Sequence, residues 1–514
     1  MHKRWTAEIA AACGLAVAVL LSTPMPGDRG GASATSLEES IQAALATNPD
    51  VGVVQADREA VDQEVRQARA LYFPSVDLRG AIGPEYTNSP ATRVQPGEGA
   101  AEGLIRQEAQ ITLTQALFGG FARRSELDRQ LARLDSAARR VREASEFIGL
   151  NAVEAHLDVL RNQVLVDLAA ENLEAHQRIL GQVQQLEREG VGTIGDVRQT
   201  EARVAAAANA FATATGNLRD AQAGYIAVVG EPPEGLETPV VPVTAVPESG
   251  EAAAAQASVS SPTVLITRSD IDVTRAELTG ARAGYYPRLD LELGASANEN
   301  IDGIQGGNVN AQALLVVRYN LFRGGGDIAR EREAFFRVKE QREVMRRAQR
   351  LAEEDARVSY NALLTARERV LALRDAAEAQ RATRDVYAQQ FDLGQRSLLD
   401  LLDSENELFL ARSNLVTAEF TEMFAVYRVL AVIGDLLMTF DIDPPREEIN
   451  IYRTPRESIH EVPADVSPGQ DLGALPLPAA TATAEAADDE RYEIRPAGFE
   501  GFLDGIRASA PARR

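Results

Sequence analysis

Leu117-Phe118-Gly119-Gly120 opens a stretch that runs to Gly190 without a proline. Leu321-Phe322, followed by Gly324-Gly325, opens another that runs to Gly394, also without one. Gly190 lies 72 positions after Phe118, and Gly394 again lies 72 after Phe322. Inside the first stretch Leu127, Leu131, Leu134, Ala138 and Val141 recur at alternating spacings of four and three, the seam spacing of a coiled coil. One helix of that length would be a rod of about 108 Å at 1.5 Å per residue. A compact domain has no use for such a rod. A protein that crosses a wide compartment does.

The likeness extends beyond the two stretches. At the same offset of 204, Asp196 matches Asp400, and Tyr225…Val229-Gly230 resembles Tyr427…Ile433-Gly434. Upstream, Ala68-Arg69-Ala70-Leu71-Tyr72-Phe73-Pro74 matches Ala281-Arg282-Ala283-Gly284-Tyr285-Tyr286-Pro287 at an offset of 213. The chain is a tandem duplication of one long unit, and a repeat of that size outranks any local reading.

At 514 residues a two-domain enzyme would be the default, but the repeat argues against it. Aromatic content is 5%, which suits helices packed closely along their length, and the net charge is -23. Such a charge disfavours nucleic acid as a partner and gives a solvated, repulsive surface. Lys3-Arg4, the apolar run Ile9 to Leu21 and Ala32-Ser33-Ala34 read as a signal peptide over 1–34. The sole cysteine, Cys13, lies inside it, so the exported chain would carry no disulfide. No later stretch has eighteen consecutive apolar residues, so membrane entry would require a closed β-barrel.

Taken in order, Ser36-Leu37-Glu38-Glu39 reads as a helix start, and Pro49 restarts the helix. It stops near Pro74. Val76, Leu78, Gly80 and Ile82 then alternate with Asp77, Arg79 and Ala81, the period of a half-buried strand. A polar loop from Thr87 to Gly103 leads to a second strand around Ile111 and Leu113 and then to the rod. After Gly190 a half-length helix returns to Val229. The first repeat therefore covers 35–230, a linker 231–257, the second repeat 258–437, and an irregular tail 438–514. In the second repeat Leu289 to Ala295 and Val309 to Tyr319 are the strands.

Four strands cannot close a membrane barrel, for which eight is the smallest single-chain number. Two rods and four half-length helices cannot surround a wide lumen either. Both ends call for a ring of copies.

This combination resembles the TolC-like outer-membrane efflux family of Gram-negative bacteria. The residues that carry it are the duplicated Tyr-aromatic-Pro before a strand, the duplicated Leu-Phe with Gly-Gly, and Gly394-Gln395-Arg396-Ser397-Leu398-Leu399-Asp400-Leu401-Leu402-Asp403. The resemblance covers roughly Ser36 to Leu437. It implies a mainly α fold with membrane β-strands. Three chains would form a twelve-stranded β-barrel, four strands from each, continued by an antiparallel coiled-coil tunnel through the periplasm. It also implies a periplasmic adaptor, an inner-membrane pump of the ABC or proton-driven kind, contact with outer-membrane lipid, and no cofactor.

Asp400 and Asp403 are three apart near the start of the second return helix, on one face. By the resemblance they line the closed entrance, with Arg396 and Asp196 in its latch. The reading without a gate is that an aspartate in a first helical turn simply suits the helix dipole. Phe391 stands where the family's latch has a tyrosine hydroxyl, and Gly195 where a hydroxyl residue precedes the aspartate, so a latch with fewer hydrogen bonds is expected. The turns carrying Gly190, Gly192 and Thr193, and Gly394 and Ser397, are where the family suggests that an adaptor docks. Such glycines also end helices without further function.

Other chemistry falls away. Gly324-Gly325-Gly326 lacks the Lys-Ser/Thr of a phosphate loop. His156 and His176 have no neighbour at metal-ligand spacing. No catalytic triad is present, so an enzyme is not expected. Two functions remain: a passive exit duct, or a coiled-coil scaffold or surface adhesin without a pore.

Overall fold

The computed structural model describes residues 35–88 and 102–442. The signal peptide expected over 1–34, the centre of the first strand loop and the tail beyond 442 lie outside them. Helix α1 (Leu37–Thr47) starts in a capping box. Ser36 Oγ accepts from Glu39 N at 3.1 Å, and Glu39 Oε2 accepts from Ser36 N at 3.0 Å. Helix α2 (Pro49–Ala70) begins with proline, whose missing N–H is no loss at a helix start. Strands β1 (Ser75–Thr87) and β2 (Glu102–Gly119) follow, then α3 (Ala122–Arg188) and α4 (Ile194–Val229). Helix α3 has 67 residues, about 100 Å of rod.

The second unit runs in the same order: α5 (Gly250–Ser260), α6 (Pro262–Ala281), β3 (Arg288–Glu299), β4 (Gly307–Arg318), α7 (Gly326–Asp392) and α8 (Leu398–Ile433). Helix α7 also has 67 residues, and α4 and α8 have 36 each. A short helix, α9 (Leu436–Thr439), ends the described chain.

Two boundaries and one residue correspondence differ from the sequence reading. The second unit starts earlier than 258. Ser249 caps α5 and Pro262 opens α6, each 213 positions after its counterpart, Ser36 and Pro49. The stretch read as linker thus ends in a helix. Its buried face is Ala253, Ala254 and Ala257, which carries no stripe of large side chains to give the period away. The expected irregular tail begins late, because Phe440 stacks on Tyr427 at 5.8 Å and Ile442 is buried. Third, Tyr427 is not the counterpart of Tyr225. The helix boundaries match at 204, which sets Tyr225 against Val429.

The strands form one antiparallel sheet in the order β1-β2-β3-β4. Leu78 pairs with Ile111, Ile111 with Ala295, and Ala295 with Ala311. That register gathers Val76, Leu78, Ile82, Ile105, Ile111, Leu293, Val309, Leu315 and Val317 on one face, all exposed. The other face carries Asp77, Arg79, Glu85, Arg106, Glu108, Gln110, Thr112, Glu292, Gln312 and Asn310, with Leu104, Leu314 and Val316 among its apolar exceptions. A one-residue slip would exchange the faces. Among the described residues β1 and β4 each have one partner only, so the sheet has two open edges. No helix among the described residues is long and apolar enough to cross a membrane.

Midway along the rods lies the main core. Ile41, Val51, Val153, Leu157, Tyr225, Val264, Leu363, Tyr427 and Leu430 belong to it. A polar network is sealed inside. Ser40 Oγ lies 2.9 Å from both His156 Nδ1 and Tyr225 OH, and His156 Nε2 donates to the Glu237 carbonyl at 2.9 Å. His156 is therefore a structural histidine that ties α1, α3, α4 and the inter-unit segment together, because a buried polar group must find partners.

Candidate functional site

The sheetless end of the molecule is built from the two helix turns. Both long helices stop in the same way. Gly190 and Gly394 take left-handed φ values of 79° and 69°. Val191 N donates to Leu186 O at 3.0 Å and Gly190 N to Glu187 O at 2.9 Å. Gln395 N donates to Gln390 O at 2.8 Å and Gly394 N to Phe391 O at 2.9 Å. This paired closure satisfies the last carbonyls of the helix and needs a residue without a Cβ penalty. Gly192 has ordinary φ but is held close, since a Cβ there would meet Glu187 N at 3.1 Å.

The next helices start differently in the two units. Thr193 Oγ1 accepts from Asp196 N at 3.2 Å, while Asp196 Oδ2 accepts from Thr193 N at 3.1 Å and from its hydroxyl at 2.8 Å. Asp196 is thus committed to its own helix cap and is not brought to Arg396. In the second unit Ser397 Oγ accepts from Asp400 N at 3.2 Å, but the Asp400 carboxylate turns away to Arg396, 3.4 Å from its Nε. The Arg396 guanidinium also lies over the Tyr387 ring, 3.8 Å from its centre, a favourable cation–π position.

Asp403 is not an unpaired member of an acidic pair. Arg203 Nη2 of α4 donates to Asp403 Oδ1 at 2.6 Å. Phe391 turns its ring inward. With Ala388 and Leu398 it packs on a buried cluster of Ile179, Val183, Val197, Leu401 and Leu402. α3, α4, α7 and α8 all meet in that cluster. Outside it, Val191, Ile194 and Leu393 are 77%, 60% and 71% exposed. Large apolar side chains at a solvent-facing tip mark a contact surface.

Two residues of this site were missed in the sequence. Tyr387 lies one helical turn before Phe391, so an aromatic near Arg396 was available by spacing. Arg203 carried no local signal, because its partner is 200 positions away.

The two-faced sheet, the 67-residue helices and the open edges define a wall segment of a membrane channel. The chain belongs to the outer membrane efflux protein family, whose model matches residues 40–231 and 253–423. Members of this family are outer-membrane channel proteins and not enzymes. The outer membrane efflux protein BepC of Brucella suis is 26% identical over 82% of this chain and 90% of its own length. CyaE of Bordetella pertussis is 28% identical over 84% of this chain and 90% of its own length. The proteases secretion protein PrtF of Dickeya chrysanthemi is 24% identical over 82% and 92%. Among solved structures, the outer membrane protein VceC of Vibrio cholerae has a TM-score of 0.65 at 15% identity, over 77% of this chain and 96% of that one. CusC gives 0.67 at 14% identity over 77% and 92%.

Proposed function

We propose that three copies of this chain close into one exit duct, with a twelve-stranded barrel in the outer membrane above a helical tunnel in the periplasm. The duct takes substrates from an inner-membrane pump through a periplasmic adaptor and releases them outside. The observation that carries this is the sheet. It has one apolar and one polar face, and two edges of unpaired backbone groups that a membrane does not tolerate. Strands of 12 to 18 residues are long enough, since a tilted membrane strand needs about 9–11. PrtF's name as a proteases secretion protein favours type I protein secretion as the duty, with drug efflux as the second candidate.

The purified full-length protein in a planar lipid bilayer should conduct ions, and mild cross-linking in detergent should stop at a trimer. A stable monomer with no conductance would favour the scaffold or adhesin reading instead.

The turns at Gly190–Thr193 and Gly394–Ser397 are assigned to adaptor docking, because they present Val191, Ile194 and Leu393 to solvent. Val191→Asp with Leu393→Asp should reduce co-purification of the cognate adaptor roughly tenfold or more, about 1.4 kcal/mol or greater. Conductance of the purified protein should stay unchanged. Undiminished adaptor capture would place the contact elsewhere on the wall.

A further inference from the structure

We propose that a recess partway along the rods, lined by Phe147 and Leu351 and rimmed by Arg140 and Arg347, is a binding site for amphiphilic organic anions inside the duct. It rests on the exit-duct reading for its place but not for its chemistry. The recess holds about 800 Å³, the size of a small-molecule site. Pro262 of α6, Ala348 and Ala352 of α7 and Val432 of α8 complete its apolar lining.

The helices fix the side of the wall on which it opens. α1, α5 and α9 pack on the other side. A Cβ on Gly149 of α3 would meet Leu437 and Ile41, and Gln349 of α7 donates to the Ser258 carbonyl of α5 at 3.3 Å. Phe147 and Leu351 each stand two residues from those contacts, about 200° around their helices. The wall packs in the order α2, α3, α6, α7. Val54 of α2 nevertheless reaches the same recess as Leu351 of α7. This side is therefore the concave one, and it faces the lumen when copies close into a ring. Phe147 and Leu351 are 61% and 52% exposed there and hold matching places in the two units, 204 positions apart. Two large apolar side chains turned to solvent at one level mark a contact for an apolar body.

Charge around the recess is polarised along the rods. Residues 122–142 carry seven arginines and three carboxylates, and 328–350 carry eight cationic side chains and four carboxylates. Toward the helix turns, 143–188 and 351–392 together carry sixteen carboxylates and nine arginines. Cations thus prevail on the sheet side of a chain whose net charge is -23. Arg140 lies about two turns before Phe147, and Arg347 about one turn before Leu351. Helix side chains lean toward the N-terminus, so both guanidiniums rim the sheet side. Among the described residues neither has an ion pair or a hydrogen bond. The lining carboxylates are placed otherwise. Glu143 accepts from the Thr263 hydroxyl at 2.6 Å, and Glu146 is buried toward α9. Asp355 lies about one turn beyond Leu351, away from the sheet. An anionic head on the sheet side, with an apolar body over Phe147 and Leu351, meets both the charge and the apolar surface.

The test uses the full-length protein in an amphipathic polymer and a matched pair of fluorescent probes, 8-anilino-1-naphthalenesulfonate and its neutral twin N-phenyl-1-naphthylamine. The sulfonate should bind saturably. Arg140→Gln with Arg347→Gln should weaken it roughly tenfold or more and leave the affinity of the twin within about twofold. Phe147→Ser with Leu351→Ser should remove saturable binding of both. In a planar bilayer the sulfonate should lower the single-channel current of the parent and spare that of the arginine variant. An arginine variant that binds the sulfonate as the parent does overturns the site, and so does tighter binding of the cation tetraphenylphosphonium. Saturable binding in a parent that does not conduct keeps the recess and fells the duct reading. A conducting parent with no saturable binding does the reverse.

Discussion

Replacing Glu146 with glutamine is expected to raise stability at pH 8 by about 3 kcal/mol and to leave it unchanged near pH 4.5. Glu146 lies on α3 and is 3% exposed. Burial pushes its carboxyl up to about 7 from an ordinary 4.5, against the pull of Arg142 and of the Leu436 and Leu437 N–H groups, while Asp435 adds to the rise. The folded chain therefore holds this proton more tightly than the unfolded chain does. The stability it supplies is fully present below 4.5, falls as pH rises toward 7, and is gone above it. Arg142 is engaged in its turn, donating to the Gly434 carbonyl at 2.9 Å. Glutamine keeps an acceptor for the two N–H groups at the start of α9 and removes the buried charge. The measurement is the thermal unfolding midpoint by circular dichroism, from pH 4.5 to 8, at one protein concentration. Parallel curves for the two proteins would refute the assignment. The same face of α3 carries Gly149, where a Cβ would meet Leu437 Cδ2 at 3.1 Å. One helical face thus supplies the carboxyl and the room on which α9 docks.

The sequence made the duplication legible because it left spaced landmarks that chemistry requires. Gly190 and Gly394 sit 204 apart because each ends a long helix in a left-handed turn, and Pro74 and Pro287 sit 213 apart because each stands immediately before a strand. What stayed hidden was whatever lacked local period or local partner. The alanine face of α5 has no large residues to mark it, so the second unit seemed to begin late. The site was half legible. Arg396 and Asp400 are four apart and do pair. Asp403 was expected at the entrance with Asp400 by the family resemblance, and nothing in the sequence near it pointed to its partner Arg203 on the other hairpin. Asp196 repeats Asp400 in position but not in use. Its carboxylate closes a capping box that Asp400's does not.

The duplication also supplies its own control at the sheet-to-helix junction, where Gly120→Ala should be severe and Gly324→Ala mild. The glycine pairs look alike in sequence but are offset by one. The two consecutive left-handed residues are Gly120 and Phe121 in the first unit, and Gly324 and Gly325 in the second. Gly120 and Gly324 both have φ of +62°, so alanine costs each about 1–2 kcal/mol of backbone strain. Their surroundings differ. A Cβ at Gly120 would stand 2.6 Å from the Ala283 carbonyl oxygen and 2.8 Å from Tyr286 Cβ, whereas at Gly324 nothing lies within 4 Å. The crowding has a source in the aromatic triad of the first unit. Phe121 packs edge-on against Phe118 and Tyr286, each 5.6 Å away between ring centres, and so draws the α6-to-β3 segment onto Gly120. The second unit has glycine where Phe121 stands and no such triad. Backbone cannot retreat as a flexible side chain can, so Gly120→Ala is expected to cost more than about 4 kcal/mol, the range of exceptional single substitutions. The variant should then fail to accumulate in the outer membrane, while Gly324→Ala accumulates nearly as the parent does. Equal yields for the two, measured on isolated outer membranes, would mean that the triad does not anchor the junction.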